Sequence, residues 1–204
     1  MHSAHLSISF DSEWLIAGGD STLGTADMAP IRDADGFPTI PGRTLRGLLR
    51  EAVALVDDCE PRTAHASRLF GTRKGKDGEA GDGTMRVGNA LVTEALAKTC
   101  TSGADCADLF ATVRRTALEA RTRTAKPNSL REMEVAIAGL ELIAELDCES
   151  EADLELIAFA AGLVRSLGHS RSRGLGRCRM EVWRNGKQIN PIALPASAGK
   201  GAIR

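Results

Sequence analysis

The chain contains no tyrosine, and aromatic residues make up only 3% of its 204 positions. A sheet that reads RNA by stacking bases on aromatic rings is therefore not expected. No stretch approaches the roughly 18 uninterrupted apolar residues of a membrane span. The opening MHSAHLSISF carries neither the basic flank nor the apolar core of a secretory signal. A cytoplasmic protein with no membrane contact is expected. Five cysteines (Cys59, Cys100, Cys106, Cys148, Cys178) form an odd set without CxxC spacing, which favours reduced thiols over a disulfide framework or a zinc site. Two glycine-rich stretches also fail the nucleotide-binding patterns. GTRKGKDG lacks the Ser or Thr that must follow Gly-Lys in a phosphate loop, and GHSRSRGLGR stands between a helix and a strand instead of a strand and a helix.

The formal net charge of −1 hides an uneven distribution. From Arg114 to Arg131 there are six basic residues against Glu119 alone, and from Arg165 to Lys187 seven against Glu181 alone. Between Glu141 and Glu155 lie seven acids and no base. Such a chain can hold a polyanion on one side and turn its acidic side to solvent or to a basic neighbour.

Hydrophobic periodicity gives an outline. Leu6, Ile8 and Phe10 alternate with Ser7 and Ser9 as in a half-buried strand. Leu45, Leu48, Leu49, Ala52 and Val56 recur at helical spacing, with Thr44 as the expected N-cap. GTMRVGNALV reads as one short strand and GLELIAELDC as another. Ser150 and Asp153 open a second helix in capping-box fashion, with Leu154, Ile157, Ala158, Ala161 and Val164 on one face. GHSRSRGLG is expected to end it, and Cys178, Met180 and Val182 alternate in a last strand. The order β, α, β, β, α, β predicts a ferredoxin-like α+β sandwich, an antiparallel sheet with helices on one face and loop or hairpin insertions. We expect one domain over 1–204, with an irregular inserted segment around 93–135. In the usual strand order of this fold the first and last strands are neighbours, so Arg177 and Arg179 are expected on a face with Ser7 and Ser9.

Three loops carry chemistry. In TIPGRTLRG, the backbone amides of a helix N-terminus together with Gly42, Arg43, Thr44 and Arg46 make a site suited to phosphate, although a well-capped helix would look the same. In GHSRSRGLGR, glycines allow close backbone approach while Ser170, Arg171, Ser172 and Arg173 supply donors. In the acid-rich loop before the first helix, a lone Asp is too acidic for an efficient general base at neutral pH, so placing a metal suits it better. Asp33 and Asp35 are read as shaping the turn RDADGFP, and Asp20 after Gly-Gly as shaping another.

Together these stretches resemble the RAMP superfamily, the repeat-associated proteins of CRISPR effector complexes. DMAPIRDADGFPTIPGRTLRGLLR is similar to that family's Ile-Arg-Asp step followed by a turn and Pro-x-Ile-Pro-Gly. RLFG at Arg68, RTAKPNSLREME at Arg123 and SRSRGLGRCRM follow in family order. Arg43 and Thr44 stand where the family has two serines, Arg46 where it has lysine, and Pro30 is displaced by one place. Within the superfamily the chain looks like the repeated backbone subunit of type III effector complexes.

That resemblance implies binding of a CRISPR guide RNA and of complementary target RNA, assembly head to tail with further copies and with other effector subunits, and target cleavage with Mg²⁺ or another divalent metal. It places the catalytic and metal-positioning role on Asp27. The target's 2′-hydroxyl would attack the adjacent phosphate, leaving a cyclic phosphate and a free 5′-hydroxyl. Arg123 and Lys126 would belong to a hairpin that wedges into the guide–target duplex. Two other readings stay open: a noncatalytic guide-binding subunit in which Asp27 is a turn residue, and a metal-independent guide-processing endoribonuclease using His2, His5 or His169. His65 is read as a helix-surface residue.

Overall fold

The computed structural model describes residues 1–18, 27–59, 64–72, 81–100 and 106–189. Asp20, most of GTRKGKDG and the tail from Pro191 lie outside the described residues.

Strand β1 (His2–Phe10) alternates as expected, with Ala4, Leu6, Ile8 and Phe10 buried and Ser3, His5, Ser7 and Ser9 on the other face. It is the central strand. On one side it pairs antiparallel with β6 (Glu141–Cys148), on the other with β7 (Cys178–Arg184). The short strands β2 (Arg86–Val87) and β3 (Leu91–Val92) both pair with the far edge of β6, and β8 (Lys187–Gln188) extends the other edge beyond β7. This is the ferredoxin-like strand order. Ser9 lies opposite Arg179 in the register, which puts them on one face.

GTMRVGNALV is not one strand but two, because Ala90 between β2 and β3 turns away from β6 to pair with Ile40. The open face of the sheet does carry one aromatic residue, Trp183, half-buried opposite His5.

Helices α1 (Gly42–Cys59) and α4 (Glu151–Leu163) cover the other face. Between them in the chain come α2 (His65–Phe70) and α3 (Glu94–Thr99). Burial of Leu45, Leu49, Ala52, Val53 and Val56 along α1 joins it to Leu154, Ile157 and Ala161 of α4 in the main core. Thr44 is not the N-cap of α1. The helix starts at Gly42, whose N–H donates to Asn89 Oδ1 at 2.8 Å, and Thr44 already donates back to Pro41 O at 2.9 Å. Only glycine fits at 42, since a Cβ there would collide with the backbone carbonyl of Val87.

Helix α4 has the expected capping box: Asp153 N–H donates to Ser150 Oγ and Ser150 N–H to Asp153 Oδ2. It ends at Leu163, five residues before Gly168, so the glycine-rich loop does not itself stop the helix. Arg68 of α2 grips the same Asp153 carboxylate with both terminal nitrogens. Burial pushes the Asp153 carboxyl up, but the hydrogen bonds from Arg68 and Ser150 outweigh it and hold the group below its ordinary range. Burial also raises the thiols of Cys148 and Cys178, to about 12 and about 11, so both are unreactive at neutral pH. Among the described residues no helix is long and apolar enough to cross a membrane.

The excursion between β3 and β6 is not irregular. It holds a two-stranded antiparallel sheet, β4 (Phe110–Arg115) with β5 (Arg131–Ala136), apart from the main one. Its root is tied to the body by Trp14, whose N–H donates to Ala136 O and whose carbonyl accepts from Ala136 N–H.

Candidate nucleic-acid interface

The hairpin has two unlike faces, and strand alternation decides which residue falls on which. One face carries Ala111 and Val113 of β4 opposite Val135 and Met133 of β5. These pack with Leu15, Leu175 and Met28 in a second, smaller apolar cluster. That cluster positions three separate segments. Met28 pairs with Met133 and its carbonyl accepts from Glu134 N–H at 2.9 Å. Leu175 belongs to the glycine-rich loop, and Leu15 O accepts from His169 N–H at 2.7 Å. Asp27, one residue before Met28, donates its N–H to Glu132 O at 2.9 Å, while its Oδ2 accepts from Glu132 N–H at 3.2 Å.

The glycine-rich loop is held by packing as well as by backbone angle. Gly168 (φ +94°) and Gly176 (φ +72°) press against the carbonyls of Leu15 and Leu167, where a Cβ would collide. Between them Ser170 adopts a left-handed conformation and Arg171–Arg173 form a single 3₁₀ turn.

Where the three segments meet lies a cavity of about 520 Å³. Asp27 and Met28, Met133 and Leu130, Asn128, His169 and Ser170 line it, together with Arg115, Arg131 and Arg173. A neighbouring cavity of about 820 Å³ shares Arg115, Arg131, Arg173 and Asn128 and runs out along the hairpin past Leu118 and Ser129.

The arginines are placed unusually. Arg115 and Arg131 face each other directly in the hairpin register, a like-charge pairing that is unfavourable on its own. Neither they nor Arg173 form a hydrogen bond or ion pair with another described side chain, and Asp27 is the one acid in the lining. The opposite face of the hairpin is compensated: Arg114 pairs with Glu132 at 2.5 Å, and Arg32, stacked 3.7 Å over the Phe110 ring, pairs with Glu134 at 2.8 Å. Three guanidiniums around an open cavity suit phosphate oxygens.

Of the residues expected from sequence, Asp27, Ser170 and Arg173 meet in this cavity, with Arg171 and Ser172 exposed beside it. Arg123 and Lys126 lie further out on the exposed hairpin, where Lys126 Nζ is 3.9 Å from Glu119, and line neither cavity. Gly42, Arg43, Thr44 and Arg46 belong to a different place, the start of α1. There the amides of Gly42, Thr44 and Leu45 are already bonded, and Arg46 donates to Phe70 O at 3.1 Å. At that helix start the exposed Arg43 and the half-buried Thr44 side chain remain as donors open to solvent.

Asp33 shapes its turn, its Oδ1 accepting from the N–H groups of Asp35 and Phe37. His2 and His5 sit on β1, and His65 opens α2 with its N–H bonded to Asp57. Sequence reasoning did not single out Arg115, Asn128 or Leu130 for the site. The signal available for Arg115 was the alternation FATVRR against REMEVA, which puts Arg115 and Arg131 on the apolar side of a hairpin.

Among the described residues no three His, Cys, Asp or Glu side chains come together as a metal cage. Asp27 could hold a divalent ion only jointly with a ligand's own oxygens, the one- or two-carboxylate arrangement Mg²⁺ often takes with phosphates.

Comparison with known proteins agrees with this architecture. The family model of the RAMP superfamily matches residues 7–179. A chain in the cryo-EM structure of a type III-B Cmr-beta complex bound to cognate target RNA superposes with a TM-score of 0.66 at 10% identity, covering 89% of this chain and 97% of that one. A chain of the apo-state Cmr-beta structure gives a TM-score of 0.65 at 11% identity, covering 91% and 98%. No curated protein sequence matches the chain.

Proposed function

The chain belongs to the RAMP superfamily, and from that premise we propose that it is a guide-RNA-binding backbone subunit of a type III CRISPR effector complex that cleaves complementary target RNA. The observation that carries the reading is the facing pair Arg115 and Arg131, with Arg173 and Asp27 in the same cavity. Opposed cations without acidic partners are favourable where a polyanion lies between them, and a single carboxylate among them sits beside the phosphate that polyanion would bring.

The chemistry follows from those groups. The arginines draw a phosphodiester into the cavity and stabilise the extra negative charge of the five-coordinate phosphorus. Asp27, held by two backbone bonds to Glu132, orients the 2′-hydroxyl for attack on the adjacent phosphate. A divalent ion shared between Asp27 and the RNA would add positive charge beside that phosphate. Arg43 and Thr44 at the start of α1, and Arg123 and Lys126 on the hairpin, extend the backbone contacts. The acidic open face of the sheet and the basic hairpin are complementary, which supports head-to-tail contact with further copies.

The test is cleavage of a guide-complementary RNA by the assembled complex, wild type beside Asp27→Ala, with Mg²⁺ and with chelator, after equal target binding is established. Loss of cleavage by about a hundredfold or more with binding intact is expected. Unchanged cleavage rejects Asp27 as the functional carboxylate. The second reading, a noncatalytic guide-binding subunit, is favoured by the bond from Glu132 N–H to Asp27 Oδ2, which a purely structural aspartate would also make. It predicts assembly and target binding with no cleavage by the wild type.

A further inference from the structure

The cavity that holds Asp27 also holds His169, which the mechanism above leaves unused. His2 and His5 lie in β1 of the main sheet, away from this lining, and His65 opens α2. His169 is exposed, yet its backbone is fixed. Its N–H is bonded to Leu15 O at 2.7 Å, with Gly168 at φ +94° before it and Ser170 at φ +56° after it. Of the four described non-glycine residues with positive φ, two, Asn128 and Ser170, line this one cavity. Backbone held in such sparsely populated conformations on both sides of the imidazole concentrates local cost at a binding site.

The reaction proposed for the cavity has an unmet requirement. Attack by the 2′-hydroxyl expels the 5′-oxygen of the next nucleotide, and an alkoxide is a poor leaving group unless a proton reaches it. The guanidiniums of Arg115, Arg131 and Arg173 stabilise charge but do not give up protons. Asp27 is suited to the attacking side. Among the described lining residues, the imidazole of His169 is the group of a type that donates a proton near neutral pH.

Resting on the reading of this chain as an RNA-cleaving subunit, we infer that His169 is the general acid that protonates the departing 5′-oxygen. The 2′-oxygen forms its bond to phosphorus as the bond from phosphorus to the 5′-oxygen breaks. The electron pair of that bond leaves on the 5′-oxygen and takes the proton of an imidazolium N–H. The proton of the 2′-hydroxyl, oriented by Asp27, passes to water. The products are a 2′,3′-cyclic phosphate and a 5′-hydroxyl, and His169 regains its proton from solvent. No oxidant, reductant or further reactant is needed.

The test uses the assembled complex under single-turnover conditions with two target RNAs, one ordinary and one with sulfur in place of the bridging 5′-oxygen at the scissile position. A thiolate leaves without needing a proton. His169→Ala is expected to slow the ordinary RNA by about a hundredfold or more and to cleave the sulfur-substituted RNA at close to the wild-type rate, with target affinity unchanged. Asp27→Ala is expected to be slow on both substrates. Equal slowing of His169→Ala on both, or no slowing on either, overturns the general-acid role while leaving the cleavage reading standing. Absence of wild-type cleavage overturns both.

Discussion

On the open face of the sheet, Ser7 donates to Glu141 at 2.6 Å and Ser3 to Asp147 at 2.7 Å, and Arg86 lies opposite Asp147 in the register. On the inner face of the hairpin, Arg115 and Arg131 stand opposite each other with no such compensation from a described residue. Both regions are charged and solvent-facing. The sheet's carboxylates are partly satisfied by neighbours within the same sheet, with Arg86 and Arg179 on the same face. The hairpin's arginines are left for something outside the chain. The difference teaches that net charge is a poor guide to the binding surface, and that charge left unpaired inside a concavity is a better one.

The hairpin repeats the contrast at close range. Its outer face spends Arg114 and Arg32 on Glu132 and Glu134, while its inner face, one residue out of phase, leaves Arg115 and Arg131 free of described acidic partners. A one-residue shift of register would exchange the two faces.

The largest expected effect breaks the comparison at the cavity. Replacing Arg115 and Arg131 together by Ala should weaken RNA binding about a hundredfold near physiological salt, roughly tenfold for each charge-assisted hydrogen bond lost. A filter-binding or anisotropy titration of the full chain reads it. Because removing one arginine also removes the like-charge opposition, hairpin stability should hold or rise in the single variants.

A smaller effect concerns Asp153, where buried charge is compensated inside the helical layer. Its side chain is 3% exposed and that of Arg68 is 45% exposed. Asp153→Asn should therefore cost about 2 kcal/mol, below the roughly 3–5 kcal/mol of a fully buried pair, because water screens the arginine. The folded carboxyl titrates below its ordinary value of 3.8. Its contribution is thus fully present above about pH 4 and is lost as pH falls through the lower, folded value. Urea unfolding at a series of acid pH values should show that component in the wild type and not in Asp153→Asn, with RNA binding at pH 7 unchanged.

The smallest effect sharpens the comparison. Glu145→Gln on the open face, opposite His5, should change RNA affinity by less than about twofold, since a single charge on a surface that does not contact RNA acts only through screened distance.

Much of the sheet was legible because its strands follow a period of two: HLSISF, GLELIAELDC and the segment from Cys178 put most of their apolar residues on the helix-covered side, with Ile143 and Trp183 the exceptions on the open face. The capping box at Ser150 was equally plain, since it needs only local geometry. Local geometry also misled. Thr44 looks like an N-cap, but Asn89, 47 residues away, satisfies Gly42 and lets α1 begin three residues earlier. Helix α4 ends at Leu163, just after Gly162 and five residues short of Gly168, where the glycine-rich loop begins. The family resemblance pointed to a hairpin near Arg123, but hydrophobic periodicity did not reveal the strands β4 and β5, because each is short and pairs with the other off the main sheet, with long exposed sequence between them.

Within the site, Asp27, Ser170 and Arg173 were individually visible. That they share one cavity with Arg115 and His169 was not, because what assembles them is the small cluster of Leu15, Met133, Val135 and Leu175, drawn from three distant parts of the chain. No spacing in the sequence encodes that meeting.

The most direct test of the account is the salt dependence of RNA affinity, measured for the wild type and for the Arg115→Ala/Arg131→Ala variant. For single-stranded RNA each phosphate contact contributes about 0.7 to the slope of log affinity against log salt. The account predicts that the double variant loses about 1.4 of that slope together with its affinity. A variant that binds as tightly as the wild type with an unchanged slope would contradict it and move the RNA to another surface of the molecule.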